Sequence, residues 1–204
     1  MYLRTVNDSK MAGRPKIFDE KEVVDKAVNV FWTKGYETAS ADELLEAMGI
    51  GKGSFYLAFK GGKKELYEKS LRQYAGNFDK QLLHDLSVSK DPIQLIKDFF
   101  MALADDPKSK QMKGCYIGNA LVQLSDGDAD TKLIAAELLA SVEGIFTDVI
   151  RKAQEEKRLK NKAKPEVLGK YLINLWNGVN VTRRSNPGYE HLREVLEMSL
   201  QVLH

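Results

Sequence analysis

Residues 31–59 read FWTKGYETASADELLEAMGIGKGSFYLAF and contain two short helical patterns that are separated by a glycine-rich turn. The spacing of Ser40 and Glu43 is that of a capping box, which predicts a helix over 40–49. A second short helix is predicted over 52–59 because glycines stand on both sides of it. Two short helices joined by such a turn have the sequence anatomy of a helix-turn-helix.

The rest of the chain has the same helical periodicity. Apolar residues recur at spacings of three and four, and no sustained alternation of period two is present. The sequence therefore predicts an all-α fold of about nine helices. The first helix is predicted over 19–34 with Gly35 as its C-terminal cap, and the fourth is expected to open near Lys63. Helices of eight residues are marginal alone, so the two short ones must pack against the first.

The second two-thirds of the chain predicts a larger helical unit. Asp91-Pro92 has the pattern of a helix start, and residues 105–111 are expected to form a loop. Further helices are predicted over 114–124, from Asp128 onward, over 168–179 and over 192–203. Asn186-Pro187-Gly188 predicts a tight reversal that pairs the last two helices antiparallel.

Composition excludes several classes of protein. The chain has 204 residues, 43% of them apolar, which is enough for a core and excludes general disorder. We expect neither a membrane span nor a secretory signal, and hence a cytoplasmic protein. The single cysteine, Cys115, excludes an internal disulfide framework. No Glu-x-x-His pair is present, which excludes a di-iron enzyme. We expect no metal, no cofactor and no enzymatic activity.

Charge is unevenly distributed although the net charge is only +2. Residues 1–64 hold 11 Lys and Arg against 9 Asp and Glu, whereas residues 65–204 hold 20 of each. Two segments without acids, 9–18 and 47–64, flank an acidic stretch. They would form a basic face if the fold brings them together, and an ordinary solvated surface is an equally open interpretation.

These motifs, together with Gly13-Arg14-Pro15-Lys16, resemble the amino-terminal domain of TetR-type transcriptional repressors over residues 13–66. The resemblance implies a basic arm over 1–18, a helix-turn-helix DNA-binding domain over 19–65 and an effector-binding and dimerisation domain over 66–204. It implies a homodimer that binds double-stranded DNA at a palindromic operator and is released by a small-molecule effector. A helical ligand-binding or scaffold protein whose helix-turn-helix contacts other proteins is the alternative.

The resemblance also implies which residues contact DNA. A basic side chain and a phenol near the start of the second short helix suit phosphate contact, a small hydroxyl suits a base edge, and glycine permits close approach. An arginine between glycine and proline suits a minor groove. The resulting candidates are Arg14, Lys16, Thr38, Lys52, Gly53, Ser54, Tyr56 and Lys63.

Aromatic and apolar residues are the candidates for the effector pocket, and they indicate a small, largely hydrophobic or aromatic ligand. They are Phe78, Phe99, Phe100, Tyr116, Ile117 and Phe146. Cys115 is either a buried core residue or a redox sensor, since a helix start and the nearby Lys110 and Lys113 would favour its thiolate.

The two closing helices carry broad apolar stripes, which the resemblance assigns to a four-helix bundle between two copies of the chain. The candidate interface residues are Leu172, Leu175, Trp176, Val179, Leu192, Val195, Leu196 and Leu200.

Overall fold

A computed structural model describes residues 18–204, and within this range the only regular elements are helices. Nine α-helices have seven residues or more and a tenth, α6, is a single turn, in agreement with the predicted all-α fold. The helices are α1 (Glu20–Lys34), α2 (Ala41–Met48), α3 (Lys52–Ala58), α4 (Gly62–Val88), α5 (Pro92–Asp105), α6 (Lys108–Gln111), α7 (Tyr116–Gln123), α8 (Ala129–Glu155), α9 (Pro165–Ser185) and α10 (Leu192–Ser199), with 3-10 turns at Asp126–Asp128 and Leu200–Leu203.

Side-chain and glycine caps set the bounds of the first helices. The Asp19 carboxylate accepts backbone N–H bonds at the start of α1, and Gly35 ends that helix with φ +85°. At α2, the Ser40 hydroxyl accepts the N–H of Glu43 at 3.3 Å, while the Glu43 carboxylate accepts the N–H of Ser40 at 3.1 Å. Gly49 then adopts the left-handed conformation, φ +69°, that most residues avoid. The predicted capping box is confirmed.

A continuous apolar core joins the first three helices to the rest of the chain. Phe55 and Phe59 of the α3 segment are buried in the same cluster as Leu66, Tyr67 and Leu71 of α4. The cluster extends further into α7 through Tyr116, Ile117 and Ala120. The predicted domain boundary at residues 65 and 66 therefore falls within a continuous core, and the division stays a prediction.

Hydrogen bonds fix α7 against α1 and α4. The buried Tyr116 hydroxyl lies 2.6 Å from Ser70 Oγ, which itself donates to the Tyr67 carbonyl. Burial raises the pKa of Tyr116 well above its ordinary value, so the phenol keeps its proton. Trp32 of α1 donates from Nε1 to the carbonyl oxygens of Lys113 and Gly114, at 3.1 and 3.2 Å.

The second core cluster lies at the other end of the molecule and contains α9 and α10. The Tyr171 hydroxyl donates to the Ser199 carbonyl at 2.9 Å. However, α9 packs mainly along α8, and α10 packs mainly against α5, so the predicted pairing of the last two helices is not their main packing. The buried Arg183 of α9, paired with Asp106 at 2.6 Å, holds the end of this helix at the end of α5.

Two smaller predictions need correction or completion. The loop expected over 105–111 contains the one-turn helix α6, which begins after Pro107. No helix among residues 18–204 combines the length and apolarity needed to span a membrane.

Candidate nucleic-acid interface and ligand cavity

The exposed side of α3 carries the four residues that were predicted there. Lys52, Gly53, Ser54 and Tyr56 are all exposed, and Tyr56 keeps 51% of its surface accessible. The opposite side of the helix is buried through Phe55. Because the core fixes that side, α3 presents a defined set of side chains to a partner.

The turn before α2 brings a second set of candidates together. The Lys63 ammonium donates to the Glu37 carbonyl at 3.1 Å and lies 4.8 Å from the centroid of the Tyr36 ring. Thr38 is exposed in the same turn. Lys63 and Thr38, which are 25 positions apart in the sequence, therefore lie at one corner of the helix-turn-helix. Arg14 and Lys16 lie outside the described residues.

Nearby acids pair with other groups, so Lys52, the one basic residue of α3, is left without a neutralising carboxylate within residues 18–204. Lys34 binds Glu43, and this hydrogen bond is the main reason that the pKa of Glu43 falls to about 2. Glu65 accepts the Gly61 N–H at 2.7 Å and pairs with a lysine of its own helix. In contrast, Lys52 makes no ion pair with any residue in the described range.

The sequence analysis missed two exposed residues on α3 and its C-terminal edge. Leu57 is 64% exposed and Lys60 is exposed as well. The signal was present in the sequence, because Leu57 is two positions from both Phe55 and Phe59 and therefore faces away from them on a helix.

Four of the six predicted effector residues surround one apolar cavity of about 60 Å³ between α4, α5, α7, α8 and α9. They are Phe78, Phe99, Ile117 and Phe146. Phe100 and Tyr116 do not line it, and the assignment of the six residues to an effector pocket stays a prediction. Phe100 and Tyr116 are both buried. Phe100 packs against Phe146 and Trp176, and the Tyr116 hydroxyl hydrogen-bonds to Ser70.

A larger groove of about 580 Å³ lies between α7 and α9 and shares Cys115 with the cavity. The Cys115 sulfur accepts the Gly118 N–H at 3.2 Å at the start of α7, and the residue is only partly buried. Lys110 pairs with Asp106 and Lys113 lies over the Trp32 ring, so each of these lysines has a partner other than the thiol. Because Cys115 is only partly buried, it is not a fully buried core residue, and the sensor role stays a prediction.

Five of the eight residues predicted at the dimer interface are buried within their own protomer, and the interface stays a prediction. The five are Leu172, Val179, Leu192, Leu196 and Leu200. Trp176 lines the cavity and stacks on Phe99 at 5.1 Å, and Leu175 is partly buried. Val195 is 38% exposed and keeps its place, and the sequence analysis overlooked the exposed Val181 and Met198.

Residues 23–69 match the family model described as bacterial regulatory proteins, tetR family. The chain is 26% identical to the HTH-type transcriptional repressor ComR of Escherichia coli over 195 residues, which covers 95% of this chain and 92% of ComR. It is 25% identical to the repressor DhaR of Mycobacterium sp. strain GP1, with 90% of this chain and 91% of DhaR covered. A solved structure of the TetR family regulator CifR, a cysteine mutant complexed with 26-bp double-strand operator DNA, matches with 25% identity and a TM-score of 0.78 over 94% of this chain and 100% of CifR.

We expect Lys52→Ala and Lys63→Ala each to weaken binding to duplex DNA of any sequence, because each would remove one predicted phosphate contact from each protomer of a dimer. The slope of log affinity against log salt should become shallower by about 2, at about 0.9 per lost contact. Titrations between about 50 and 200 mM salt measure this slope.

Lys90→Ala, which removes an exposed lysine between α4 and α5, is the control for net charge. If Lys52→Ala and Lys63→Ala both kept the wild-type slope, the assignment of these two lysines to the DNA interface would be contradicted.

Proposed function

We propose that the chain is a TetR-type transcriptional repressor that acts in the cytoplasm, since residues 23–69 match the model of that family and ComR matches over 95% of the chain. As a homodimer it binds a palindromic operator through one α3 helix per protomer, and a small effector releases it. The observation that carries the proposal is the exposed face of α3, which the core behind Phe55 holds outward. The protein-contact alternative is not favoured, since ComR and DhaR, which match over more than nine-tenths of their own lengths, are named transcriptional repressors.

Two groups of residues, one on α3 and one at the turn before α2, are proposed to contact the DNA. Lys52 and Tyr56 contact phosphates beside the groove that α3 enters, and Ser54 is short enough to bond a base edge. Lys63 and Thr38, at the turn before α2, contact phosphates farther along the backbone. The bond from Lys63 to the Glu37 carbonyl supports this role because it limits where the ammonium can lie.

The effector is proposed to act through α7. Ile117 of this helix lines the apolar cavity, while Trp32 of α1 bonds to the carbonyls that precede α7. At its other end, Gln123 approaches Gly35 so closely that a Cβ there would lie 2.9 Å from Oε1. A ligand that displaces α7 would therefore change the position of the first three helices, and it would favour a spacing of the two α3 helices that the operator does not fit.

The size of the cavity limits the mechanism. About 60 Å³ is far below the roughly 300–1,000 Å³ of sites for drug-sized ligands. A ligand can enter only if the aromatic side chains, such as the stacked Phe99 and Trp176, move apart. Opening of this stack is thus expected to be coupled to release of DNA.

Selection of bound duplexes from a random pool by the full chain tests the proposed function. We expect an enriched palindrome, because a two-fold symmetric dimer presents two identical α3 helices. The absence of any enriched sequence, at low salt as well as at physiological salt, would contradict the proposal and favour the scaffold alternative.

Filling the cavity should separate ligand response from DNA binding. Ala75 is buried at the cavity wall, so we expect Ala75→Leu to occupy the space that the ligand needs. In a screen of small apolar and aromatic compounds, those that release wild-type protein from the selected operator should lose at least tenfold in potency on this variant.

Ala102→Leu adds the same atoms at an exposed site on α5 and should leave the potency unchanged. An unaltered response in Ala75→Leu, with operator affinity intact, would place the effector elsewhere.

A further inference from the structure

The centre of the exposed face of α3 is occupied by a leucine to which the proposed contacts give no role. Leu57 lies two residues after the buried Phe55 and two before the buried Phe59. At about 100° per residue, its side chain points about 160° from each phenylalanine and so almost directly away from the core. Single exposed leucines are common on protein surfaces. The position of this one, and not its exposure alone, therefore needs an explanation.

The neighbours of Leu57 indicate what covers it. Gly53 lies four residues earlier on α3, so it is a neighbour of Leu57 on the helix surface. A Cβ added at Gly53 would meet no atom within 4 Å, which leaves room for close approach of a partner. Lys52 lies at the same end of the helix as Gly53 and has no ion-pair partner within the described residues. Lys60, two residues past the end of α3, is exposed as well. The surface is thus apolar at its centre, with exposed lysines at the two ends of the helix.

A DNA duplex matches this arrangement of charge and apolar surface. Phosphates border the major groove and attract the lysines, while the groove floor is polar except for one kind of group. That group is the C5-methyl of thymine, which apolar side chains contact in direct readout. A polar base edge would instead leave Leu57 covering hydrogen-bonding groups that lose their water, which costs free energy.

We propose that Leu57 is a specificity-determining residue that contacts a thymine methyl in each half of the operator. The inference rests on the proposed DNA-binding function and deepens it, because it names the base group that the centre of α3 reads. Lys52, Tyr56 and Lys63 then supply affinity for any duplex, whereas Leu57 supplies preference among sequences.

Replacement of thymidine by deoxyuridine tests the proposal, because it removes only the C5-methyl group of the base. In the operator obtained by selection, the two thymines of each symmetry-related pair are replaced together, one pair at a time, and the affinity of the full chain is measured. One pair should weaken wild-type binding by about 16-fold, at about fourfold for each buried methyl. In Leu57→Ala the same replacement should change affinity by less than twofold, while the penalties at other thymines persist.

Two further variants control for fold and for residue type. Leu57→Met keeps an apolar side chain and should restore most of the methyl dependence. Leu133→Ala removes a leucine of similar exposure, 60%, on α8 and should leave every uracil penalty at its wild-type value. Because Leu57 is exposed, Leu57→Ala should keep the helical circular dichroism of the wild type.

The outcomes distinguish the inference from the function on which it rests. If the wild type binds its operator but no uracil penalty depends on Leu57, the proposed contact is wrong while the repressor function stands. If Leu57→Ala leaves all DNA affinities unchanged, the leucine does not contact DNA and the inference is likewise overturned. Failure of the wild type to bind any selected duplex would overturn both.

Discussion

The hydrogen bond between the Tyr116 hydroxyl and Ser70 Oγ, 2.6 Å long and fully buried, is the contact on which the arrangement of the helices depends. It joins α7 to α4 in the middle of an aromatic cluster, where Tyr116 also packs against Trp32 of α1. A buried phenol without a partner would cost about 1–3 kcal/mol, so the chain has one strongly preferred position for α7. The apolar cavity lies on one side of α7 and the helix-turn-helix on the other, and this bond therefore sets the geometry of both.

The short helices depend on this core for their existence. With eight and seven residues, α2 and α3 are too short to persist alone in water, and their stability comes from packing on α1 and α4. The same dependence makes them responsive, because any shift of α1 relative to the body carries α3 with it. In the proposed mechanism this dependence lets a small ligand in the apolar cavity alter the spacing of the two α3 helices without touching either of them.

The sequence predicted local features well and long-range packing poorly, for physical reasons. Caps such as Ser40 with Glu43 depend on residues three apart, so the start of α2 could be predicted, and the exposed face of α3 followed from its helical periodicity. The exclusion of Phe100 from the cavity lining could not be predicted, because an apolar stripe does not say whether a side chain fills a cavity wall or the core behind it. The burial of Leu196 within its own protomer could not be predicted for a similar reason, since burial by α5 and burial by a second protomer leave the same pattern. Leu57 was predictable from its angle to Phe55 and Phe59, but an exposed leucine carries no chemical motif.

One α3 per protomer is proposed to enter the major groove of each half of a palindromic operator, and DNA cleavage from α3 tests this arrangement most directly. A single cysteine placed by Ser54→Cys in a Cys115→Ser background, carrying an iron chelate that cuts nearby DNA, reports where α3 lies. The account predicts two symmetric groups of cuts within major grooves, centred one helical turn of about 10 base pairs or a multiple of it apart. Cuts confined to one half of the site or to minor grooves, or cuts spread evenly along the duplex, would contradict it.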